Sequence, residues 1–412
     1  MRGLGPAGPF PDIALSDGLE RRWLHYAFLS RDGRYSMVAN TASLGPPDKD
    51  PEKIARTTTI LLLHERGKPW VSSQFNAATS QPLWSAFRQP HVHGVATPLS
   101  IGAISGAPRV DLSLMRTSRP CTSQCAPFAN NHHLRWQSET GVRATGQWQL
   151  SGRPLEVEAV GYHERVRGRW GWPELDEWVF GFANDLHAEG ETPPAYAGVF
   201  TFIKPVGPED ATTASFMLWH QGRLRRHFPR RNVTFAVRGI LDRDCVTQTP
   251  PLSRLFGVSP LSPVPKRLVI SARQGDDWVI LDFESESAAR VVIPSETSLA
   301  PFSVHEVVGP CILAGRLDGE RFEIKTRGIV GTPLLEINTK FLKAVTYGET
   351  ITIATHIEEW RTKVFVQLHR VTRGDELVCE GREVRAFVRR DADDPDRLRA
   401  IPVPDDIKAM CS

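Results

Sequence analysis

The sequence is poor in cysteine, in long apolar runs and in surplus charge, and each shortage excludes a class of protein. Six cysteines are scattered over 412 residues, which argues against a disulfide scaffold. No stretch reaches the ~20 apolar residues of a membrane helix, and the N-terminal residues lack the apolar core of a signal peptide. A formal net charge of +3 is too small to indicate nucleic-acid binding. We expect a cytoplasmic protein with no membrane span and no nucleic-acid partner.

Segments with helical periodicity are also scarce, whereas alternation of apolar and polar residues is frequent. It is clear over residues 22–40, 145–162 and 266–285, and glycine-containing turns join such runs at Asp32-Gly33, Ser151-Gly152 and Asp318-Gly319. Turns of this composition are typical of β-hairpins. The 32 glycines and 32 prolines suit a β protein with many loops. The sequence therefore predicts an all-β fold.

Two changes in composition divide the chain. Residues 250–267 are rich in proline and lie between two β regions, which is typical of a linker. The second change comes near Gly331. We predict a first barrel half over 1–249, the linker 250–267, a second barrel half over 268–331 and a separate segment over 332–412.

Residues 161–184, GYHERVRGRWGWPELDEWVFGFAN, combine titratable and aromatic side chains. Addition of water to an alkene needs a proton donor and stabilisation of a carbocation, and it needs no cofactor. A carboxylic acid kept partly neutral by apolar surroundings can donate the proton, and aromatic faces attract a cation. Glu164, Tyr162 and His163 are the candidate catalytic residues. The candidate substrate-binding residues are Trp23, His25, Arg165, Trp170, Trp172 and Trp178.

Strand alternation determines which of these candidate residues can lie on the same face of a strand. In a strand, Tyr162 and Glu164 point to one face and His163 to the other. We expect Tyr162 and Glu164 to line the cavity of the first half, with Trp23 and His25 as neighbours. The simpler alternative is that the aromatic residues fill a core and that Glu164 and Arg165 form a solvated ion pair.

Residues 161–184 resemble the hydroxyneurosporene synthase (carotenoid hydratase) family. The resemblance covers about residues 12–330, beginning at Trp23-Leu24-His25-Tyr26. Tyr162-His163 and Trp170-Gly171 match the family motif, and Glu164 stands where the family has its acid. Arg290 and Pro294 match the second half. The resemblance implies two tandem lipocalin-like β-barrels and a cofactor-independent hydratase or isomerase/cyclase that acts on a polyene or another long apolar molecule.

From Thr332 onward the sequence resembles the later strands of a hotdog-fold acyl-CoA thioesterase. Long alternating strands are predicted over 350–360, 363–371 and 376–389, after the Tyr347-Gly348-Glu349 turn. The opening strand and central helix of such a domain, with its usual acid, have no counterpart between the barrel region and these strands. We therefore expect an incomplete hotdog-type antiparallel sheet, a fusion to the barrels, that lacks thioesterase activity of its own. It is also a possible homodimer contact.

Two further motifs favour simple interpretations. Cys121, Cys125, His132 and His133 match no common zinc spacing, so we expect a loop and no metal. The arginine-rich run 222–231 has no aromatic stacking platform, so we expect a solvated hairpin. Three functions stay open: an enzyme acting on an apolar substrate, a thioester hydrolase, and a lipid-binding protein without catalysis.

Overall fold

A computed structural model describes most of the chain. The described residues are 20–44, 56–78, 96–102, 108–121, 124–128, 131–171, 174–187, 192–206, 212–249, 264–294, 301–333, 338–341, 350, 352–362, 364–386, 388–390, 398–405 and 408.

The first sheet contains nine strands, in the order β4-β3-β2-β1-β9-β8-β6-β5, and β7 pairs with β8. Their bounds are β1 Glu20–Ser30, β2 Tyr35–Leu44, β3 Arg56–Glu65, β4 Val71–Ala78, β5 Thr97–Ile101, β6 Arg109–Arg116, β7 Gln124–Pro127, β8 His133–Leu150 and β9 Arg153–Arg169. Two of the predicted turns close hairpins here. Ser151 and Gly152 both have positive φ, 50° and 80°, which is the backbone that a two-residue hairpin turn requires.

The second sheet contains eleven strands, in the order β13-β12-β11-β10-β20-β19-β17-β16-β14, with β18 on β19 and β15 on β18. Their bounds are β10 Leu175–Asn184, β11 Tyr196–Pro205, β12 Thr213–His220, β13 Arg223–Pro229, β14 Val233–Ile240, β15 Val246–Gln248, β16 Pro265–Gln274, β17 Asp277–Glu284, β18 Ser287–Pro294, β19 Pro301–Leu317 and β20 Glu320–Pro333. Two 3₁₀ turns, Arg230–Asn232 and Arg243–Cys245, connect strands within it.

The C-terminal part forms a four-stranded antiparallel sheet in the order β21-β24-β23-β22, and a two-stranded one. The bounds are β21 Asn338–Phe341, β22 Thr352–Trp360, β23 Val364–Arg373, β24 Glu376–Ala386, β25 Val388–Arg390 and β26 Leu398–Ala400. Strands β22, β23 and β24 agree with the three long strands predicted over 350–360, 363–371 and 376–389. The expected all-β class is confirmed.

Each large sheet has a core on one face and contacts the other sheet with its opposite face. One apolar cluster, which includes Phe28 and Trp148, lies on one face of the first sheet. A second cluster, which includes Phe216 and Phe283, lies within the second sheet. Two more clusters contain residues of both sheets, among them Trp23 and Phe182. The interface between the sheets is therefore a buried apolar layer.

The change from one sheet to the next falls between β9 and β10, at residues 169–175. The proline-rich stretch 250–267 does not coincide with it, because β14 and β16 on either side of that stretch pair with each other. Strands β10–β14 thus belong to the second sheet, although the predicted first half extended to residue 249. Residues 250–263 themselves lie outside the described residues.

Candidate active site between the two sheets

Glu164 lies in the layer between the sheets. It is 4% exposed, and on β9 it shares a strand face with Tyr162. The paired residues on β1 are His25, opposite Glu164, and Ala27, opposite Tyr162. Ala27 and Tyr162 pack with residues of the second sheet such as Phe182. Glu164 therefore faces the second sheet and not the interior of the first half, where the sequence analysis had placed it.

Both oxygens of Glu164 accept hydrogen bonds. The Tyr162 hydroxyl donates to Oε2 at 2.5 Å, and the Trp23 indole N–H donates to Oε1 at 3.2 Å. The Tyr162 hydroxyl also contacts Ser138 Oγ at 2.9 Å. Because Ser138 is the β8 neighbour of Glu164, three adjacent strands hold this carboxyl in place.

The acidity of Glu164 results from two opposing effects. Burial disfavours the carboxylate and raises its pKa to about 7, while the hydrogen bonds from Tyr162 and Trp23 lower it. A carboxyl with a pKa near neutrality exists in both protonation states at neutral pH, which general acid–base catalysis requires. The alternative of a solvated ion pair with Arg165 is excluded by this burial.

Three tryptophans surround this carboxyl. Trp23 stacks on Trp178 with ring centroids 5.3 Å apart, and it meets Trp170 edge-on at 5.7 Å. Trp170 and Trp178 are 6.3 Å apart. Trp23 meets the carboxyl through its indole N–H, and the cluster places aromatic rings near the proton-bearing group, where π faces can stabilise positive charge.

His25 occupies the same layer. Its ring lies 6.4 Å from the Tyr162 ring and 5.1 Å from the Phe180 ring, between centroids. Burial lowers its pKa to about 3, so His25 is neutral at physiological pH. Its Nε2 atom has no hydrogen-bond partner among the described residues.

His163 and Arg165 point to the opposite face of β9. The His163 ring stacks on Tyr26 at 4.3 Å, and its Nδ1 donates to the His25 carbonyl oxygen at 2.9 Å. This bond leaves Nε2 as the acceptor for the Arg165 Nε–H at 3.4 Å. Neither side chain shares a site with Glu164, although both were predicted site residues. Alternation along β9 explains the separation.

Glu306 was missed in the sequence and lies in the same layer. Its β20 neighbour is Gly331, and the β10 neighbour of Gly331 is Phe180. Burial and the charge of Glu164 raise the pKa of Glu306 to about 8. The available signal was an acid inside the apolar run Val304-His305-Glu306-Val307-Val308, since a charged residue in a buried strand requires an explanation.

Other predicted features lie elsewhere. Trp172 is outside the described residues. Among the residues that are described, no group of three or more His, Cys, Asp or Glu side chains could hold a metal ion. Arg225 and Arg226 of the arginine-rich run form ion pairs with Asp318, and so are partly neutralised. No helix in the described ranges is long and apolar enough to span a membrane.

A cleft of about 540 Å³ opens at the β1–β2 turn, away from Glu164. Its wall includes Arg267 and Asp282, which bind each other with Nε 2.7 Å from Oδ1. This polar wall is a poor match for an apolar substrate, so the layer around Glu164 is the better candidate site.

Comparison with known proteins identifies the C-terminal part. A family model of the thioesterase-like superfamily matches residues 316–410. The 4-hydroxybenzoyl-CoA thioesterase of Pseudomonas sp. (strain CBS-3) is 44% identical over 97 residues, which covers 22% of this chain and 67% of that protein. Through this segment the chain belongs to the thioesterase-like superfamily. The match starts within β19, before the predicted boundary at 332.

Solved structures resemble the larger part. A Nitrosomonas europaea protein described as an AttH candidate has 12% identity and a TM-score of 0.52, covering 79% of this chain and 98% of that one. Kievitone hydratase from Nectria haematococca has 10% identity and a TM-score of 0.46, covering 76% and 88%. The first likeness shows a shared fold. Both resemblances predicted from the sequence, to a carotenoid-hydratase-like fold and to a thioesterase, are confirmed.

Proposed function

We propose that the two large sheets form a cofactor-independent enzyme that adds water to, or rearranges, a carbon–carbon double bond of a long apolar substrate such as a polyene. The observation that carries the proposal is a buried carboxyl with a pKa of about 7, held by Tyr162 and Trp23 beside stacked tryptophans. Protonated Glu164 donates its proton to one alkene carbon. The indole faces of Trp23, Trp170 and Trp178 then stabilise the cation at the other carbon.

The apolar layer suits this chemistry. Water that entered freely would quench a carbocation at random, whereas a dry site admits one positioned molecule. The clusters that contain Trp23 and Phe182 supply such surroundings. A binding protein without catalysis would need the same apolar layer, but it would have no use for a carboxyl tuned to neutral pH.

The test is incubation of the purified full-length protein with an acyclic polyene in H₂¹⁸O, followed by mass spectrometry of the product. We expect incorporation of one labelled oxygen for a hydratase, or an isomer of unchanged mass for a cyclase or isomerase. Glu164→Gln should abolish turnover without loss of folding. Glu156→Gln is the matched control, because Glu156 lies on the same strand and is exposed. Unchanged turnover in Glu164→Gln would refute the assignment.

A second candidate function is hydrolysis of an acyl-CoA thioester by the C-terminal segment, favoured by its 44% identity to a thioesterase. The chain matches about two thirds of that relative. In this segment Asp375 lies in the β23–β24 turn and is exposed, and Glu349 of the predicted Tyr347-Gly348-Glu349 turn is outside the described residues. An exposed turn offers no dry surroundings for activation of a nucleophile. We expect no release of free CoA from 4-hydroxybenzoyl-CoA above background, and release that stops in Glu349→Gln would reverse this conclusion.

A further inference from the structure

Glu306 is a buried acid that the proposed function leaves without a role. Its position follows from the strand ladder: β10, β20 and β19 are adjacent, and Phe180, Gly331 and Glu306 lie opposite one another across them. Residues paired across a sheet point to the same face. Glu306 therefore lies on the face that carries Phe180, and the Phe180 ring contacts His25 of the first sheet.

The surroundings of Glu306 differ from those of Glu164. Glu306 is 6% exposed, and its Oε2 atom has no hydrogen-bond partner among the described residues. Both oxygens of Glu164, in contrast, accept hydrogen bonds. A buried polar atom without a hydrogen-bond partner costs free energy. A ligand, a water molecule or a bound proton at Oε2 would remove this cost.

Glu164 and Glu306 are also electrostatically coupled. Burial and, to a smaller extent, the charge of Glu164 together raise the pKa of Glu306 to about 8. The other titratable groups of the layer are outside this range, because His25 has a pKa of about 3 and that of Tyr162 is raised well above its ordinary value. Among these groups the two carboxyls have the pKa values nearest neutrality, and the charge of Glu164 affects the titration of Glu306.

We infer that Glu306 is a second catalytic residue, which acts from the opposite sheet as the base for the attacking water while Glu164 acts as the acid. The inference rests on the proposed function. In the form that carries the proton on Glu164, which is the less populated one because Glu306 has the higher pKa, Glu164 transfers its proton to one alkene carbon, so that the π bond breaks and a C–H bond forms. Water then attacks the cation, a C–O bond forms, and the proton that the water loses passes to the Glu306 carboxylate. Return of this proton to Glu164 restores the starting state, and the net reaction is addition of one water molecule.

The first test needs no substrate. Isotope-edited infrared spectroscopy with labelled glutamate follows the carboxyl bands of the full-length protein against pH, in the wild type and in Glu164→Gln and Glu306→Gln. Glu164→Gln removes the charge that raises the pKa of Glu306, so Glu306 should titrate at a lower pH than it does in the wild type, whereas Glu164, which ionises first, should shift little in Glu306→Gln. If the titration of Glu306 does not shift in Glu164→Gln, the two groups are not a pair and the inference is overturned.

The second test measures turnover. We expect Glu306→Gln to lower kcat about a hundredfold or more, which is the usual contribution of one acid or base. Glu306→Asp, which keeps the carboxyl, should retain part of the activity. Glu323→Gln on the neighbouring strand β20 is the control, since Glu323 is exposed. Thermal unfolding checks that each variant is folded.

The two tests separate the inference from the proposed function. Coupled titration in a protein that turns over no alkene would refute the proposed function and leave the carboxyl pair intact. Turnover that depends on Glu164 but is unchanged in a folded Glu306→Gln would refute the role of Glu306 and leave the proposed function intact.

Discussion

The pKa of Glu164 depends on a balance that single side chains can shift. Burial raises it, and the hydrogen bonds from Tyr162 and Trp23 lower it. Loss of either donor destabilises the carboxylate and weakens the opposition to the effect of burial, so the pKa rises. The aromatic residues thus supply more than apolar surface, because two of them donate hydrogen bonds to the carboxylate of Glu164.

We predict that Tyr162→Phe raises the pKa of Glu164. Phenylalanine keeps the ring that stacks on Phe182 at 5.4 Å but removes the hydroxyl at 2.5 Å from Oε2. The carboxyl titration should move to higher pH, measured by infrared spectroscopy. Tyr35→Phe, on β2 and away from Glu164, serves as the control and should leave the titration unchanged. A lower pKa in Tyr162→Phe would contradict this account.

Burial of two carboxyls also makes stability depend on pH. The pKa values of Glu164 and Glu306 in the folded protein, about 7 and about 8, lie above the ordinary glutamate value of 4.5. The folded state therefore binds more protons than the unfolded state between these values. The free energy of unfolding should then fall as pH rises from about 4.5 to about 8.

Glu306→Gln should reduce this fall. At about pH 9 the variant should have a higher Tm than the wild type, because it avoids the cost of a buried charge. At about pH 4.5 the two proteins should melt at similar temperatures, because Glu306 is then protonated in the folded state and still half protonated in the unfolded state. Scanning calorimetry across this range is the measurement. A lower Tm of the variant at high pH would show that Glu306 is stabilised as a carboxylate.

At the scale of the elements, local pattern predicted the hairpins but not how the strands combine. The turns at Ser151-Gly152 and Asp318-Gly319 could be predicted because a two-residue turn depends on its own residues. The pairing of β10 with β20 joins Phe180 to Gly331, and no local pattern encodes such a distant contact. For this reason the sequence placed the sheet boundary near residue 250, and it placed Glu164 inside the first half.

The same limit applies to the candidate site. The motif of β9 indicated Glu164, Tyr162 and the tryptophans, since all lie near one another in the sequence or belong to the resemblance. Glu306 comes from a strand of the second sheet, so its role depends on the docking of two sheets. Arg165 and His163 were included on proximity in sequence, although alternation sends them to the other face of the strand.

Gly331 provides the space that places Phe180 in the site. A Cβ atom at this position would lie 2.0 Å from one carbon of the Phe180 ring, so Gly331→Ala must displace the ring. We expect a loss of about 1–3 kcal/mol in the free energy of unfolding, as is typical of overpacking, measured by denaturant titration. The double variant Gly331→Ala/Phe180→Leu should recover part of the loss, because the smaller side chain makes room. No recovery would mean that backbone strain dominates.

Strand β22 is an edge of the C-terminal sheet, and Ile353 on it is 62% exposed. An exposed edge that carries apolar residues favours pairing with another chain, and lysine at an edge opposes it. We predict that the protein forms a homodimer through this sheet and that Ile353→Lys weakens it, as measured by light scattering with size-exclusion chromatography. Ile280→Lys on the second sheet, at a position 38% exposed, should leave the dimer unchanged.

At the scale of the whole molecule, the thioesterase-like match overlaps the second large sheet in the sequence. The thioesterase-like match begins at residue 316, yet residues 320–333 form β20, a strand of the second sheet. Strand β20 lies between β10 and β19 in that sheet. Strand β20 therefore joins strands β10–β13 to the other strands of the second sheet. Its backbone hydrogen bonds are part of that sheet.

This arrangement predicts different results for two truncations. A chain that ends at residue 334 keeps β20, so the two large sheets should fold, and the titration of Glu164 and Glu306 should match that of the full-length protein. A chain that ends at residue 315 loses β20, which exposes two unpaired strand edges and removes the apolar contacts of Ile329 and Val330. It should aggregate or unfold at a much lower temperature, as measured by circular dichroism and light scattering. If the shorter chain folds as well as the longer one, residues 316–333 belong to the thioesterase-like segment in structure as well as in sequence.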